Sequence, residues 1–281
     1  MATATDGSKR YRERPETVIT DVGDGPPVIF AHGMLTDRTL FAEQLDALSS
    51  EYRAIAYDLR ARTDLYNEPY DLDDLADDLA ALREALDINS FVLVGISMGG
   101  FMALRFADRY PEYLKGLVLI NSMAEPHTDA EREEYRQLAE TVLEDGMQSN
   151  TVLQISVEKM FSDTTRSTKP AVVDSWVNRW KTYPAKSVYY AMQSWIDRSD
   201  FTPKLRTVTV PVLSIHGEGN NVLSPDRTTS MIDKLPHAHQ TLLPSAGHSA
   251  PVEQPDAVTT ALTTFLSETL SQQHTSDFSE W

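Results

Sequence analysis

The segment Gly95-Ile96-Ser97-Met98-Gly99 presents a serine hydroxyl in a context suited to nucleophilic attack. It follows the apolar run Phe91–Val94 and precedes an apolar stretch with helical spacing. A sharp turn from strand to helix strains the serine backbone, and the flanking glycines avoid the crowding that a Cβ would cause. The pattern predicts a nucleophilic Ser97 at the carboxyl edge of a sheet. The alternative is a glycine-rich turn with an incidental serine.

Two further motifs could complete this chemistry. His32 and Gly33 follow a predicted strand, and there the backbone N–H of Met34 could join that of Met98 in holding a developing oxyanion. We expect His32 to organise this loop rather than to titrate in the reaction. The loop Ala246–Ser249 follows the last predicted strand, so its His248 could reach back to the serine as a general base.

The elements that position these motifs follow an α/β order. Short apolar runs alternate with amphipathic stretches, which is typical of a parallel sheet with crossover helices. A turn at Gly23–Gly25 predicts a hairpin before the first buried strand. The predicted strands are Pro27–Ala31, Ala54–Tyr57, Phe91–Val94, Leu117–Ile120, Pro211–Ile215 and, near the end, Gln240–Leu243.

One predicted helix lies between the second and third of these strands. Its apolar residues share one face, namely Leu72, Leu75, Ala76, Leu79, Leu82 and Leu86. Four acidic residues lie outside this stripe, namely Asp73, Asp74, Asp77 and Asp78. We interpret them as a solvated helix face. The alternative, a cation site, lacks a loop that would supply further oxygen ligands.

The alternation of strands and helices breaks between residues 123 and 205, where the composition is helical. This predicts a helical cap inserted after strand 6, the strand ending at Ile120. The expected domains are an α/β core (residues 1–122 and 206–270), the cap (123–205) and a flexible polar tail (271–281). Near the site, Met123 could form a soft apolar wall. The cap tryptophans either line an apolar pocket or pack the cap itself, and they are Trp176, Trp180 and Trp195.

Composition excludes several classes of protein. The 281 residues carry 25 basic and 42 acidic side chains and no cysteine, a formal net charge of −17. Disulfides and thiolate catalysis are excluded, and the charge disfavours nucleic acid and anionic membranes as partners. No segment has the roughly 20 apolar residues of a membrane span. We expect a salt-adapted cytoplasmic protein, monomeric or homodimeric, with an ordinary acidic protein as the alternative.

In their chain order these motifs resemble the α/β-hydrolase superfamily. The resemblance rests on His32-Gly33, the elbow Gly95–Gly99, the turn Gly217-Glu218 and the pair Gly247-His248, and it extends from Pro27 to Leu266. It implies an α/β-hydrolase fold with a mostly parallel central sheet flanked by helices. The inserted region is most similar to the cap of 3-oxoadipate enol-lactonase-type hydrolases, through Glu144–Met147, Trp176–Trp180 and Trp195–Asp200.

The resemblance also reveals two departures. The superfamily stretch Asp-x-Arg-Gly-x-Gly is here Asp58–Thr63, with both glycines replaced. The catalytic acid usually ends a Gly-Glu-x-Asp sequence after the strand Pro211–Ile215, but here Asn220 stands in its place. The alternative acid position is also an amide, Asn121. Glu218 is therefore the alternative carboxylate, and the further candidates are Asp226 and, more remotely, Glu125.

These features predict a cofactor-free, metal-free serine hydrolase that cleaves a small carboxylic ester or lactone through an acyl-enzyme on Ser97. Because an asparagine holds an imidazolium less well than a carboxylate, the activity could be weak or lost. The alternatives are a cofactor-free perhydrolase or haloperoxidase, a carbon–carbon bond hydrolase, and a non-catalytic ligand-binding protein on the same scaffold. The expected substrate-binding residues are His32, Gly33, Met123, Trp176, Trp180 and Trp195.

Overall fold

The computed structural model describes residues 18–276, which form a seven-stranded sheet flanked by helices. The strand order is β1-β3-β2-β4-β5-β6-β7, and β1 is antiparallel to β3 whereas the other pairs are parallel. The strands are β1 (Ile19–Val22), β2 (Pro27–Ala31), β3 (Arg53–Tyr57), β4 (Phe91–Ile96), β5 (Leu114–Ile120), β6 (Val212–Gly217) and β7 (Ala238–Leu243).

The six predicted strands are confirmed, one with identical bounds and the others with boundaries that shift by one to three residues. The central strands are apolar throughout because helices cover both faces of a parallel sheet. All six residues of β4 are buried, as are the last four of β2 and of β3. Because these strands are parallel, the carboxyl ends of β2, β4 and β6 lie at the same edge of the sheet, where the predicted motifs begin.

The predicted hairpin at Gly23–Gly25 is wrong, because β1 and β2 are not paired. Strand β1 instead pairs with β3, with Ile19 opposite Tyr57. Gly23 has φ +79°, and a Cβ there would lie 2.2 Å from the carbonyl oxygen of Tyr52. The turn therefore packs against the chain just before β3 instead of closing a two-stranded ribbon.

Helices connect the strands and flank the sheet. They are α1 (Ala42–Leu48), α2 (Leu72–Ala85), α3 (Met98–Arg109), α4 (Asp129–Asp145), α5 (Asn150–Met160), α6 (Asp163–Thr168), α7 (Pro170–Trp180), α8 (Ala185–Ile196), α9 (Pro225–Ile232), α10 (Ala250–Glu253) and α11 (Pro255–Ser276). Short 3₁₀ turns occur at Arg38–Phe41, Arg60–Arg62, Pro111–Tyr113 and Thr202–Thr207.

Helices α4–α8, called the cap below, all lie between β5 and β6. The helical insertion thus follows the strand ending at Ile120, which is the fifth strand of the described chain rather than the sixth. The exact domain boundaries stay a prediction. Helix α11 extends to Ser276, into the expected tail, and residues 277–281 lie outside the described residues.

Helix α2 buries its predicted apolar stripe, but one of its acidic residues is not solvated. A capping box begins the helix: Asp71 accepts a hydrogen bond from the N–H of Asp74, and the Asp74 carboxylate accepts one from the N–H of Asp71. Asp78 is only 6% exposed and receives hydrogen bonds from Arg60 at 2.6 and 3.1 Å. The solvated-face interpretation is therefore wrong for Asp78, because the helix packs against the loop after β3.

Candidate active site

Ser97 occupies a strained turn between β4 and α3. Its φ and ψ are 52° and −118°, a conformation that non-glycine residues rarely adopt. The Ser97 N–H donates to the carbonyl of Ile120, and its own carbonyl accepts from Phe101, so hydrogen bonds on both sides hold the turn.

The glycines of the elbow allow two close approaches of the backbone. A Cβ on Gly95 would lie 2.4 Å from the carbonyl oxygen of Gly99. A Cβ on Gly99 would lie 2.3 Å from the carbonyl oxygen of Ala31, at the end of β2. Only glycine therefore lets the start of α3 pack against both neighbouring strand ends.

The loop after β2 passes directly beside the serine. A Cβ on Gly33 would lie 3.4 Å from the Ser97 Cβ, which is ordinary van der Waals contact. The N–H of Met34 has no hydrogen-bond acceptor within residues 18–276. The N–H of Met98 opens α3, and the first N–H groups of a helix have no partner inside it. Two backbone donors thus flank the hydroxyl-bearing residue.

His248 follows β7 and lies 3.2 Å, Nδ1 to Oδ1, from Asn220. Burial, aided by the nearby His216 and Lys159, lowers the pKa of His248 to about 3. Its imidazole is therefore neutral at pH 7. No hydrogen bond joins Ser97 Oγ to His248 within the described chain, although both residues line one cavity. Such catalytic hydrogen bonds are commonly longer before substrate binds.

The side-chain amide of Asn121 holds the histidine loop. Asn121 Nδ2 donates to the carbonyls of Gly247 and His248, while its Oδ1 accepts from the N–H of Gly217. Asn121 therefore ties the end of β6 to the loop that carries His248. The sequence placed this residue at an alternative acid position, and the structure gives it a positioning role.

Asn220 presents its oxygen, not its nitrogen, to the histidine. Its Oδ1 also accepts hydrogen bonds from the N–H groups of Val222 and Leu223, at 2.9 and 3.3 Å. Because backbone N–H groups can only donate, they fix the orientation of the amide. The Nδ1 of His248 must then carry the proton, and its Nε2 is the free acceptor.

The structure does not bring Glu218, the alternative acid, to His248. Its N–H pairs with the carbonyl of Leu243, so Glu218 continues the sheet edge, and its side chain is exposed with no hydrogen bond in the described residues. The two more distant candidates also lie elsewhere. Glu125 forms an ion pair with Arg227 at 2.6 Å, and Asp226 is exposed at the start of α9.

The cavity above Ser97 is small and mostly apolar. It offers about 60 Å³ to the centre of a water-sized molecule. Of the six expected substrate-binding residues, Gly33 and Trp195 line it, together with Met34 from the loop after β2. Helix α4 contributes a wall that sequence reasoning missed, although its helical spacing is visible in the sequence: Tyr135, Leu138 and Val142.

His32 and Met123, both among the expected substrate-binding residues, do not line the cavity. His32 is fully buried beneath the loop, with its Nε2 accepting from the N–H of Leu59 and its Nδ1 donating to the carbonyl of Gly33. Burial lowers the pKa of His32, which agrees with this neutral tautomer. Met123 is 1% exposed and packs in the core beyond the end of β5.

Trp176 and Trp180 are also packing residues rather than lining residues. Trp180 is completely buried, stacks on Phe161 and donates its indole N–H to the carbonyl of Leu35 at 2.6 Å. Trp176 is buried beside the guanidinium of Arg179. The Trp180 side chain therefore joins helix α7 to the loop after β2, whereas Trp176 belongs to the buried hydrophobic core.

A buried carboxylate near the histidine loop was missed altogether. Glu253 is 1% exposed and accepts hydrogen bonds from the N–H groups of Ser162 and Ser249. It thereby connects the cap to the residue after His248. Nothing in the local sequence distinguishes Glu253 from a surface glutamate, because its partners lie in two separate segments.

The fold and the strained serine elbow define an α/β hydrolase. The family described as alpha/beta hydrolase fold matches residues 26–255, and the chain belongs to it. Within residues 18–276 no group of three or more His, Asp or Glu side chains could hold a metal ion. No helix of that part of the chain is both long and apolar enough to cross a membrane.

Relatives within this family are named for several different activities. A Mycobacterium tuberculosis protein named as the non-heme bromoperoxidase BpoC is 30% identical, covering 87% of this chain and 95% of its own. The 3-oxoadipate enol-lactonase 2 of Acinetobacter baylyi is 25% identical, covering 83% and 86%. A thermophilic esterase from Thermogutta terrifontis, solved with malate bound, is 30% identical with a TM-score of 0.84, covering 89% and 93%.

Proposed function

We propose that this chain is a cofactor-free serine hydrolase acting on small carboxylic esters or lactones. The observation that carries the proposal is the strained Ser97, which lines the same cavity as a neutral His248 and lies beside two free backbone N–H groups. The 30% identical esterase and the 25% identical enol-lactonase support this substrate class.

In the proposed reaction, His248 Nε2 accepts the Ser97 proton as the Oγ attacks the substrate carbonyl. The N–H groups of Met34 and Met98 would hold the oxyanion, an interaction for which loss of one donor typically costs about 2.7–4 kcal/mol. The protonated His248 then donates to the leaving alkoxide. Water, activated by the same imidazole, finally hydrolyses the acyl-enzyme.

A triad acid fixes the tautomer of the histidine and stabilises its protonated form, and Asn220 affects these two tasks differently. In a serine protease, an asparagine at this position lowers kcat about 10⁴-fold, largely because the histidine adopts the wrong tautomer. Here the N–H groups of Val222 and Leu223 hold Oδ1 towards His248, which favours the productive tautomer. The missing negative charge still leaves the imidazolium without electrostatic stabilisation. We therefore propose a working but slow hydrolase.

The bromoperoxidase-named relative favours a second candidate, a cofactor-free perhydrolase or haloperoxidase reaction. In that reaction hydrogen peroxide would replace water in attacking the acyl-enzyme, so the same serine and histidine would serve both reactions. A carbon–carbon hydrolase and a non-catalytic binding protein remain as less supported alternatives. A non-catalytic binding role would not require the strained backbone conformation of Ser97.

A fluorophosphonate probe tests the nucleophile directly. We expect the wild type and Ser167→Ala to be labelled and to hydrolyse short-chain p-nitrophenyl esters, because Ser167 is exposed on α6. Ser97→Ala should lose both labelling and at least about 10³-fold in kcat/KM. Full esterase activity in Ser97→Ala would refute the mechanism. An unlabelled wild type would favour the binding protein instead.

A further inference from the structure

A buried arginine lies beside the cavity without a carboxylate partner. Arg198 is 8% exposed, and no carboxylate lies within ion-pair distance of it in the described chain. Its guanidinium donates to the carbonyls of Trp195 and Glu125 and lies over the ring of Phe101 at 3.9 Å. The nearby Glu131 is already paired with Arg227. Arg198 is therefore a buried cation that lacks a counter-ion, an arrangement that is ordinarily costly.

His127 contacts Arg198 and is itself part of the cavity wall. It is 4% exposed, lines the cavity, and lies 2.6 Å from Arg198, Nδ1 to Nη1. A guanidinium has no acceptor, so Nδ1 must accept and the ring proton must sit on Nε2. Burial and the Arg198 charge lower the pKa of His127 to about 3, which keeps the ring neutral.

Two N–H donors thus remain without acceptors at this part of the wall. The Nε2–H of His127 has no hydrogen-bond partner among residues 18–276. The indole N–H of Trp195 is buried and also lacks one there. The two rings are in contact, with centroids 5.1 Å apart, and both line the cavity. Buried donors normally have partners, so the buried indole N–H of Trp195, beside the unpaired Nε2–H of His127, indicates a missing acceptor.

We infer that His127, Trp195 and Arg198 form an acid subsite that binds a carboxylate of the substrate, separate from the group that reacts at Ser97. The two N–H groups would donate to the carboxylate oxygens, and Arg198 behind them would supply the opposing charge. The preferred substrates are then small esters or lactones that carry a second acid group. This inference rests on the proposed function for the reaction, but the binding that it describes does not require catalysis.

Ligand binding tests the subsite without reference to activity. Isothermal titration calorimetry with hexanoate, adipate and adipamate, at one ionic strength, compares a methyl, a carboxylate and a neutral amide at the same distance from a common carboxylate. We expect adipate to bind at least about tenfold more tightly than either of the others, as for a hydrogen-bonded charge. Equal affinities for adipate and hexanoate would overturn the inference. Equal affinities for adipate and adipamate would overturn its assignment to a carboxylate.

Variants assign the preference to these residues. Arg198→Gln and His127→Phe should each reduce the adipate-to-hexanoate ratio to near one. Trp195→Phe keeps the packed ring and should reduce the ratio in part, so it serves if the other two variants do not fold. Arg109→Gln makes the same change in charge at an arginine paired with Asp77 and should leave the ratio unchanged. An undiminished ratio in folded Arg198→Gln or in Trp195→Phe would contradict the subsite.

Hydrolysis separates this inference from the proposed function. The kcat/KM for monomethyl adipate should exceed that for methyl hexanoate by a similar factor in the wild type. If neither ester is cleaved but adipate still binds preferentially, the proposed function fails and the subsite stands. If both esters are cleaved equally and the binding ratio is near one, the subsite fails and the proposed function stands.

Discussion

At the scale of single residues, catalysis depends on what surrounds one imidazole. His248 is buried, its Nδ1 faces a neutral amide oxygen, and no carboxylate bonds to it within the described residues. Burial disfavours the imidazolium, so the pKa of His248 is about 3. The base is thus in its reactive neutral form at pH 7, but the cation that it must become is poorly stabilised. This combination predicts low rates together with activity that persists in mild acid.

Asn220→Asp should raise kcat/KM at pH 8 at least about tenfold. The variant should also lose the activity in mild acid that we expect of the wild type. A carboxylate beside Nδ1 raises the pKa of His248, so the rate should fall as the pH is lowered from 7 to 5, whereas the wild-type rate stays flat. The measurement is the pH profile of kcat/KM for a p-nitrophenyl ester. Asn221→Asp, an exposed neighbour with the same change in charge, is the control. Identical profiles for Asn220→Asp and the wild type would show that position 220 does not act on the catalytic base.

At the scale of elements, the cap is joined to the loop after β2 by a cluster that we call the cap–loop clamp: Arg62, Asp37, Tyr183 and Arg179. Arg62 donates to the carbonyls of Met34 and Thr36 and lies over the Tyr183 ring at 3.6 Å. Asp37 accepts a hydrogen bond from the Tyr183 hydroxyl. Burial would raise the pKa of Asp37, but the hydrogen bond from Thr39 and the charge of Arg179 hold it at about 2. The clamp therefore fixes the loop whose N–H group we assign to the oxyanion.

Arg62→Met should disturb that loop while it keeps much of the packed side chain. Losing hydrogen bonds from a partly buried guanidinium costs about 2 kcal/mol, which lowers the Tm by about 5 °C in a protein of this size. We also expect kcat to fall about tenfold, because the Met34 carbonyl lies in the same short loop as the oxyanion donor. Thermal melting and steady-state kinetics check both.

Arg53→Met is the matched control for Arg62→Met, because Arg53 pairs with the more exposed Asp21 far from the site. It should have a smaller effect on Tm and none on kcat. A lower Tm without any change in kcat in Arg62→Met would show that the clamp supports the fold but not the oxyanion loop.

Local patterns predicted the elements that depend on local interactions. The elbow around Ser97 and the stripe of α2 follow from residues within one turn of each other, and both are present in the structure. Pairing of β1 with β3, the bond from Trp180 to Leu35 and the burial of Glu253 join segments distant in sequence. No periodicity encodes those contacts, which is why the sequence leaves open whether the cap tryptophans line a pocket or pack the cap.

At the scale of the whole molecule, four histidines among the described residues are buried and neutral. Burial lowers the pKa of His32, of His216 to about 4, and of His127 and His248 each to about 3. In the unfolded chain these side chains titrate near 6.5. Between pH 6.5 and about 4, the unfolded state therefore binds more protons than the folded state. Stability must fall as the pH is lowered through that range.

Urea unfolding should show this loss as a lower free energy of unfolding at pH 4.5 than at pH 7. Each such histidine contributes up to about 1.4 kcal/mol per pH unit. His216→Gln should reduce the slope, because His216 is buried against Thr228 and does not line the cavity. His239→Gln should leave it unchanged, because His239 is exposed. Equal slopes in all three proteins would show that the burial of His216 does not set the acid sensitivity.

The net charge of −17 predicts a second dependence on solution conditions. Repulsion within an acidic chain destabilises the compact state, and 1 M salt shortens the Debye length to about 3 Å. We expect the Tm to be several degrees higher in 1 M KCl than in 0.1 M KCl. A similar gain in choline chloride would identify screening rather than K⁺ binding as the cause, and an unchanged or lower Tm would contradict salt adaptation.

The burial of Trp180 has an optical consequence. Its indole is shielded from water, stacked on Phe161 and bonded to the Leu35 carbonyl, one residue from Met34. Any motion that separates α7 from this loop would expose the indole to solvent and shift its fluorescence to longer wavelength. The fluorescence of Trp180 would thus report, without added dye, on the separation of α7 from the loop that carries Met34.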